Sequence, residues 1–421
     1  MKMLGIVLLS CVAVVAGGRS PHADYIEKLI KTNAFGARVS DNIIEDATLD
    51  LPDLVRKYNY PFEEHFVTTE DGYILGVHRI PHGRSSNNIP GERPVVFLMH
   101  GLLSSSAEHV IPGPGSGLAY LLADEGYDVW MGNARGTYYS RRHLNLNPDA
   151  LFNVDFWQFS FDEIGNKDLP AMIDYVLMHA GKSALHYIGF SQGTTVFFVM
   201  CSLQPQYNDK IISMHALAPV AYMAYNKSPI FLALAPVSKE IANIASQIGI
   251  GEFLPNREIY TWAGQALCMD GMILQPICSS ILFLIGGWNE DQHNATMLPV
   301  VFGHIPAGAS VMQFAHFGQS IADKEFRRFD FGTLQNLLRY GTAIPPRYDL
   351  SKVVAPAFFH YSESDPLAEV EDVYRLFREL GRPMEKIRVP DSNFSHLDFL
   401  WGIDAKDLVY DRLINLLRMM D

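Results

Sequence analysis

The chain is poor in cysteine, tryptophan and charge. Of its 421 residues four are Cys, five are Trp, and 19% are Asp, Glu, Lys or Arg. So little cysteine excludes a disulfide-built scaffold. No CxxC or HxxxH spacing accompanies Cys268 and Cys278, as a structural zinc site would ask. Basic residues are short too: 33 Lys and Arg stand against 46 Asp and Glu, with no dense basic cluster. A nucleic-acid partner, which needs a basic patch, is excluded on that ground. Beyond the first residues no apolar run reaches the roughly eighteen that a membrane helix requires. The nearest, Pro229 to Val237, is interrupted by Pro236 and followed by Lys239 and Glu240. Repeats and low-complexity tracts are absent as well.

What is plentiful is apolar material. Hydrophobic residues make up 48%, with 25 Phe and 19 Tyr, enough for a large packed interior and too much for a disordered chain. The N-terminus has its own pattern: Lys2, an apolar stretch from Leu4 to Ala16, then Gly17 and Gly18. That is the layout of a secretory leader over residues 1–18, too short to span a bilayer. An exported chain meets an oxidising compartment, where Cys268 and Cys278 can close a short loop; a metal site is the alternative reading of that pair. Cys201, inside the apolar segment Val196–Leu203, reads as a buried free thiol.

Residues 19–60 are polar and read as an N-terminal arm. Two β-rich runs around Glu70-Asp71-Gly72 predict a hairpin. Pro94–Met99, Tyr127–Gly132 and Ala184–Gly189 are short apolar runs, as expected of strands buried on both faces. Helical stretches near Gly117–Glu125 and Phe161–His179 alternate with them. This rhythm predicts an α/β fold: a mostly parallel central sheet with helices on both faces, its first part over residues 61–220. It breaks over 221–345, where helical patches (Phe231–Ile248, Ile273–Ile285) predict an inserted helical cap. It resumes over 346–421, with strands Val354–Tyr361 and Lys386–Pro390 around a helix at Val370–Leu380.

The strongest local signal is Gly189-Phe190-Ser191-Gln192-Gly193, between a buried strand and a helix starting at Thr194. A G-x-S-x-G turn in that context exposes its serine as a nucleophile. Residues flanking the serine must lack bulk, and both are glycine. A serine hydroxyl needs a base, and in this architecture an acid and then a histidine follow it along the chain. His396 is the only histidine after residue 365. Asp365, just past the strand ending at Tyr361, is the favoured acid; Glu363 competes locally, and Asp349 and Asp391 are weaker candidates. Two main-chain donors complete the set for an oxyanion. Gln192, after the serine, supplies one, and Leu102, in His100-Gly101-Leu102-Leu103, supplies the other. His100 precedes the serine and reads as a brace for that loop, and His360 as a core side chain.

His100-Gly101-Leu102-Leu103, Gly132-Asn133-Ala134-Arg135-Gly136, the serine turn and His396-Leu397-Asp398-Phe399-Leu400-Trp401 together resemble the acid lipase family, over nearly the whole mature chain. The resemblance implies an α/β-hydrolase core with a helical cap and lid, needing no cofactor or metal. It implies hydrolysis of triacylglycerols or cholesteryl esters at an oil–water or membrane interface by a secreted or lysosomal enzyme. By position, Ser191, Asp365 and His396 match the family's triad and Leu102 with Gln192 its oxyanion hole. Cys268 and Cys278 match its cap disulfide, and Asn294-Ala295-Thr296 a glycosylation site. Phe190 stands where His is common, and a third cap cysteine is absent. Acid operation, also implied, asks the general base to stay neutral below the ~6.5 of a free imidazole. The large apolar side chains of the insertion, Phe231, Leu232, Phe253 and Phe283 among them, suit either a lipid site or plain cap core. Two other readings keep the same fold: an esterase for short soluble esters, and a lipid-binding or storage protein without turnover.

Overall fold

The computed structural model describes residues 40–84, 92–150, 153–238, 247–253, 286, 287, 289 and 291–421. The leader at 1–18, Cys268, Cys278 and the patch Ile273–Ile285 lie outside the described residues.

The two runs around Asp71-Gly72 form a hairpin, β1 (Glu63–Thr68) and β2 (Tyr73–Ile80), paired antiparallel from Glu63↔Arg79 to Thr68↔Ile74. Gly72, at φ 94°, allows the turn. Then come β3 (Val95–Met99), β4 (Asp128–Gly132), the short β5 (Arg142–His143), β6 (Leu185–Phe190) and β7 (Ile211–Leu217). A two-stranded ladder follows, β8 (Glu252–Phe253) with β9 (Ala309–Ser310), and β10 (Ala357–Tyr361) and β11 (Pro383–Arg388) return to the main sheet. Its order is β1-β2-β4-β3-β6-β7-β10-β11, with β5 on the side of β2; the run from β4 to β11 is parallel. Every residue of β3, β4, β6 and β10 is buried. Because successive side chains point to opposite faces, the sheet is covered on both. The last strand begins at Pro383, earlier than Lys386, because its inner-edge pairing to β10 holds residues that are only partly apolar.

The expected helix over 161–179 is present with one irregularity. Phe161–Glu163 is α-helical, Ile164–Asp168 forms a wide turn, and Leu169–Ala180 continues. The wide turn falls where Gly165 meets the helix Gln192–Leu203: a Cβ on it would lie 2.6 Å from the Val199 Cβ.

Between Leu217 and Ala357 no described residue adds a strand to the main sheet. The described part of this stretch holds the helices Pro229–Leu234, Leu298–His304, Val311–Asp323 and Thr333–Tyr340. The first covers only the start of the patch Phe231–Ile248, of which residues 239–246 lie outside the described residues. It passes into a tight turn at Ala235–Val237, where Pro236 removes a helical donor. Phe231 and Phe253 both pack on Phe314, Phe253 at a ring distance of 4.2 Å. The arm helix Asp41–Thr48 grips this insertion from outside, with Ala47 so close to Gly303 that no side chain fits there. No helix among the described residues is long and apolar enough to cross a membrane.

Candidate active site

Parallel strands deliver their following loops to one end of the sheet. Ser191 follows β6, Leu102 follows β3, Asp365 follows β10 and His396 follows β11. Ser191 sits at φ 50°, ψ −117°, a strained conformation for a non-glycine residue. Its neighbours hold it there. The Ser191 amide donates to Leu217 O at 3.0 Å. A Cβ at Gly189 would lie 2.6 Å from the Gly193 carbonyl, and one at Gly193 would strike the Met99 carbonyl.

The three side chains converge. His396 Nε2 lies 2.8 Å from Ser191 Oγ, and His396 Nδ1 lies 2.7 Å from Asp365 Oδ2. The other Asp365 oxygen accepts from the amides of Leu367 at 2.8 Å and Ala368 at 2.9 Å, so the carboxylate is held from both sides. Asp365 and His396 are buried, while Ser191 is partly open. The competing acids are engaged elsewhere. Glu363 pairs with Arg388, Asp349 caps the turn at Ser351, and Asp391 accepts from Asn393 and Asn289. Phe190 lies against the imidazole of His396, ring centres 4.9 Å apart.

The loop carrying Leu102 is braced from below. His100 Nδ1 bonds to Gly101 O at 2.7 Å, and His100 Nε2 accepts from the Ala134 amide at 3.1 Å. An acceptor nitrogen must be unprotonated, and burial pushes this imidazole down to about 4. Leu103 takes φ 63° and its carbonyl accepts from the Ala307 amide at 2.7 Å. The Asn133-Ala134-Arg135-Gly136 segment is thus a bracket. Asn133 accepts from the Ser106 amide, and Arg135 joins Asp168 and Asp71. His360 is core, next to His215.

Three contributors escape a reading by motif and order. Glu108 is buried beneath the same loop and both its oxygens lie 3.2 Å from the Gly101 amide; burial pushes it up to about 8. A single acidic residue in the serine-rich loop Ser104-Ser105-Ser106-Ala107-Glu108-His109 carries no sequence sign of this. Gln313 donates to the side-chain oxygen of Gln192 at 3.1 Å, tying the insertion to the serine turn. Asp398 accepts from the Ser395 amide at 2.7 Å and hydroxyl at 2.9 Å, fixing the segment that bears His396. Its signal was present in Ser395-His396-Leu397-Asp398, the S-x-x-D spacing of a reciprocal cap. Burial pushes Asp398 up to about 6.

Among the described residues one cluster has metal-ligand types close together: Glu63, His65 and His179, ligand atoms within 4.8 Å. It lies at the β1 edge, and Arg79 Nη1 donates to the same Glu63 oxygen as His65 does, at 2.9 Å. A guanidinium there opposes a cation.

Two family models match the chain, one for a partial alpha/beta-hydrolase lipase region over residues 51–113 and one for the alpha/beta hydrolase fold over 94–236. Lipase 1 of Drosophila melanogaster is 43% identical over 376 residues, 89% of this chain and 81% of the relative. This chain belongs to the acid lipase family. Gastric triacylglycerol lipase of Rattus norvegicus is 37% identical, covering 88% of this chain and 92% of the relative. Lysosomal acid lipase/cholesteryl ester hydrolase of Homo sapiens is likewise 37% identical, over 89% and 92%. The likeness covers about nine-tenths of this chain, and the two family models together take in residues 51–236, with Leu102, Ser191 and Gln192 among them.

Proposed function

We propose that this acid lipase hydrolyses carboxylic esters of neutral lipids, triacylglycerols and cholesteryl esters, through an acyl-enzyme on Ser191. The carrying observation is the unbroken relay from Ser191 Oγ through His396 to Asp365. In the first half-reaction Ser191 Oγ attacks the ester carbonyl while His396 Nε2 takes its proton. Asp365 accepts the hydrogen bond from Nδ1 and stabilises the imidazolium without itself being protonated. The oxyanion is received by the backbone N–H groups of Gln192 and Leu102, each worth about 3 kcal/mol in the barrier. Collapse returns the proton to the departing alcohol, and the acyl group stays on Ser191. Water then repeats the sequence and releases the fatty acid.

The inserted residues 221–345 act as cap and lid over the serine. Their described aromatic cluster around Phe314 favours an acyl chain as ligand. The chain is exported, to the extracellular space or the lysosome, with a Cys268–Cys278 disulfide in the cap and a glycan on Asn294. Asn294 is exposed, whereas of the two other N-x-S sequons Asn226-Lys227-Ser228 has its asparagine buried and Asn393-Phe394-Ser395 stands three residues from His396.

The test is an ester panel on purified protein with Ser191→Ala as control. Emulsified long-chain triacylglycerol should be cleaved and a fluorophosphonate should label the wild type alone. Cleavage of soluble short esters only would make this an esterase. Absence of labelling at every pH would end the acyl-enzyme reading.

A further inference from the structure

The helix Thr333–Tyr340 is mounted inside out. Leu334, Leu337 and Leu338 are 70%, 48% and 73% exposed, and Ile344 just beyond is 65% exposed. The helix residue turned inward is Asn336, at 1%. Asn336 accepts from the Phe331 amide at 3.0 Å and donates to Asp330 Oδ1 at 2.7 Å and Ala343 O at 2.9 Å. Tyr340 donates its hydroxyl to Phe329 O at 3.0 Å. Polar groups fasten the helix, and none of the three leucines belongs to a described buried cluster. Positions 334, 337 and 338 share one face by the i, i+3, i+4 rule. An outward apolar face of this kind is an interaction site rather than scatter.

Its position says what it meets. Chain leaving the far end of β4 passes Ser160 and Asp162 before descending to the start of β6, so both residues lie at the end of the sheet that bears Ser191. The support of the helix is bolted there: Arg328 donates to Asp162 at 2.9 Å and His316 Nδ1 lies 3.0 Å from Ser160 Oγ. Phe329 and Phe331 pack on Met312, next to the Gln313 that reaches Gln192. Tyr225 and Leu232, on chain leaving β7 at the same end, are exposed as well. The apolar face is thus carried at the end of the sheet that bears the reaction site. Arg339 lies 4.0 Å over the Phe331 ring beside the leucines, a cation at the level where an interfacial helix keeps one.

We propose that Leu334, Leu337, Leu338 and Ile344 form the anchor by which the protein seats on a lipid–water surface, the leucines entering the acyl layer. This rests on the neutral-lipid reading above, whose substrate is a separate phase.

The test uses the full chain with Leu334, Leu337 and Leu338 all changed to Gln, which keeps helix propensity, and separately Leu338→Trp. Binding to phosphatidylcholine-coated triolein droplets is measured by flotation, beside turnover of the droplets and of a soluble butyrate ester. The triple variant should lose at least about tenfold in droplet affinity, since three leucines leave the acyl layer, and as much in droplet turnover. Its activity on soluble ester should stay within about twofold. Leu338→Trp should blue-shift its emission on droplets. Undiminished flotation of the triple variant, or a wild-type dimer in solution that the variant abolishes with flotation intact, would overturn the anchor. If the wild type cleaves neither ester, the catalytic reading fails, while flotation still reports on the anchor.

Discussion

Arg135 shows how much one side chain can carry. It is fully buried, donates from Nε to Asp168 Oδ1 at 2.7 Å and from Nη1 to Asp71 Oδ2 at 2.8 Å, and lies 3.9 Å over the Tyr73 ring. Hydrogen bonds from this guanidinium hold the Asp71 carboxyl well below the usual range. Asp168, deeper still, is pushed the other way by desolvation, so its charge is tolerable only with Arg135 beside it. The hairpin turn, the bracket behind the oxyanion loop and the helix leading to β6 thus share one cation. Arg135→Met should cost about 3–5 kcal/mol, because a buried carboxylate loses its partner. Arg135→Lys should recover only part, since one ammonium cannot span two carboxylates as a planar fork does. Urea denaturation monitored by Trp fluorescence reads both; equal stability of the Met variant and the wild type would contradict this account.

At the scale of elements, close approach governs the turn between β6 and its helix. Gly193 abuts the strand-end carbonyls of Met99 and His100, where a Cβ would lie 2.8 Å from the Met99 carbonyl carbon. Backbone atoms cannot yield as a side-chain tip can. Gly193→Ala should therefore destabilise by about 1–3 kcal/mol or more and abolish fluorophosphonate labelling, whereas Gly181→Ala, at a helix end with open space around it, should leave labelling intact. The same physics explains what could be read in advance. Strands buried on both faces must be apolar throughout, so Pro94–Met99 and Ala184–Gly189 announce themselves, and the glycines announce the serine turn between them. The insertion has no such rule. Its helices face the core, one another and solvent in turn, so no single period survives. Thr333–Tyr340, with Asn336 inward and leucines outward, reverses the usual pattern altogether. Glu108 and Gln313 act through contacts made only once distant segments meet, and no spacing in the chain marks them.

For the molecule as a whole, buried titratable groups shape the response to pH. Burial pushes Glu108 up to about 8 and Glu252 up to about 7. Each folded carboxyl then holds a proton that the unfolded chain, near 4.5, has released. Stability linked to these groups is intact at acid pH and is lost as pH rises through their folded values. The buried imidazoles act oppositely: His100 and His316 are pushed down to about 4, and His109 and His360 to about 3. Their contribution is intact above the unfolded value of about 6.5 and is lost as pH falls toward the folded ones. Between pH 9 and about 7.5 the two carboxyls change before the unfolded imidazoles begin to protonate, so the melting temperature should climb as the solution is acidified over that interval. Below it the histidines enter and the climb should stop. Glu108→Gln preserves an acceptor for the Gly101 amide and removes the proton linkage. The variant should match the wild type only below about pH 4.5 and exceed it by a growing margin from there to pH 8, in scanning calorimetry of both proteins across the series. A wild-type melting temperature that rises from pH 7.5 to 9, or a variant that parallels the wild type at every pH, would show that Glu108 is not held in its protonated form beneath the oxyanion loop.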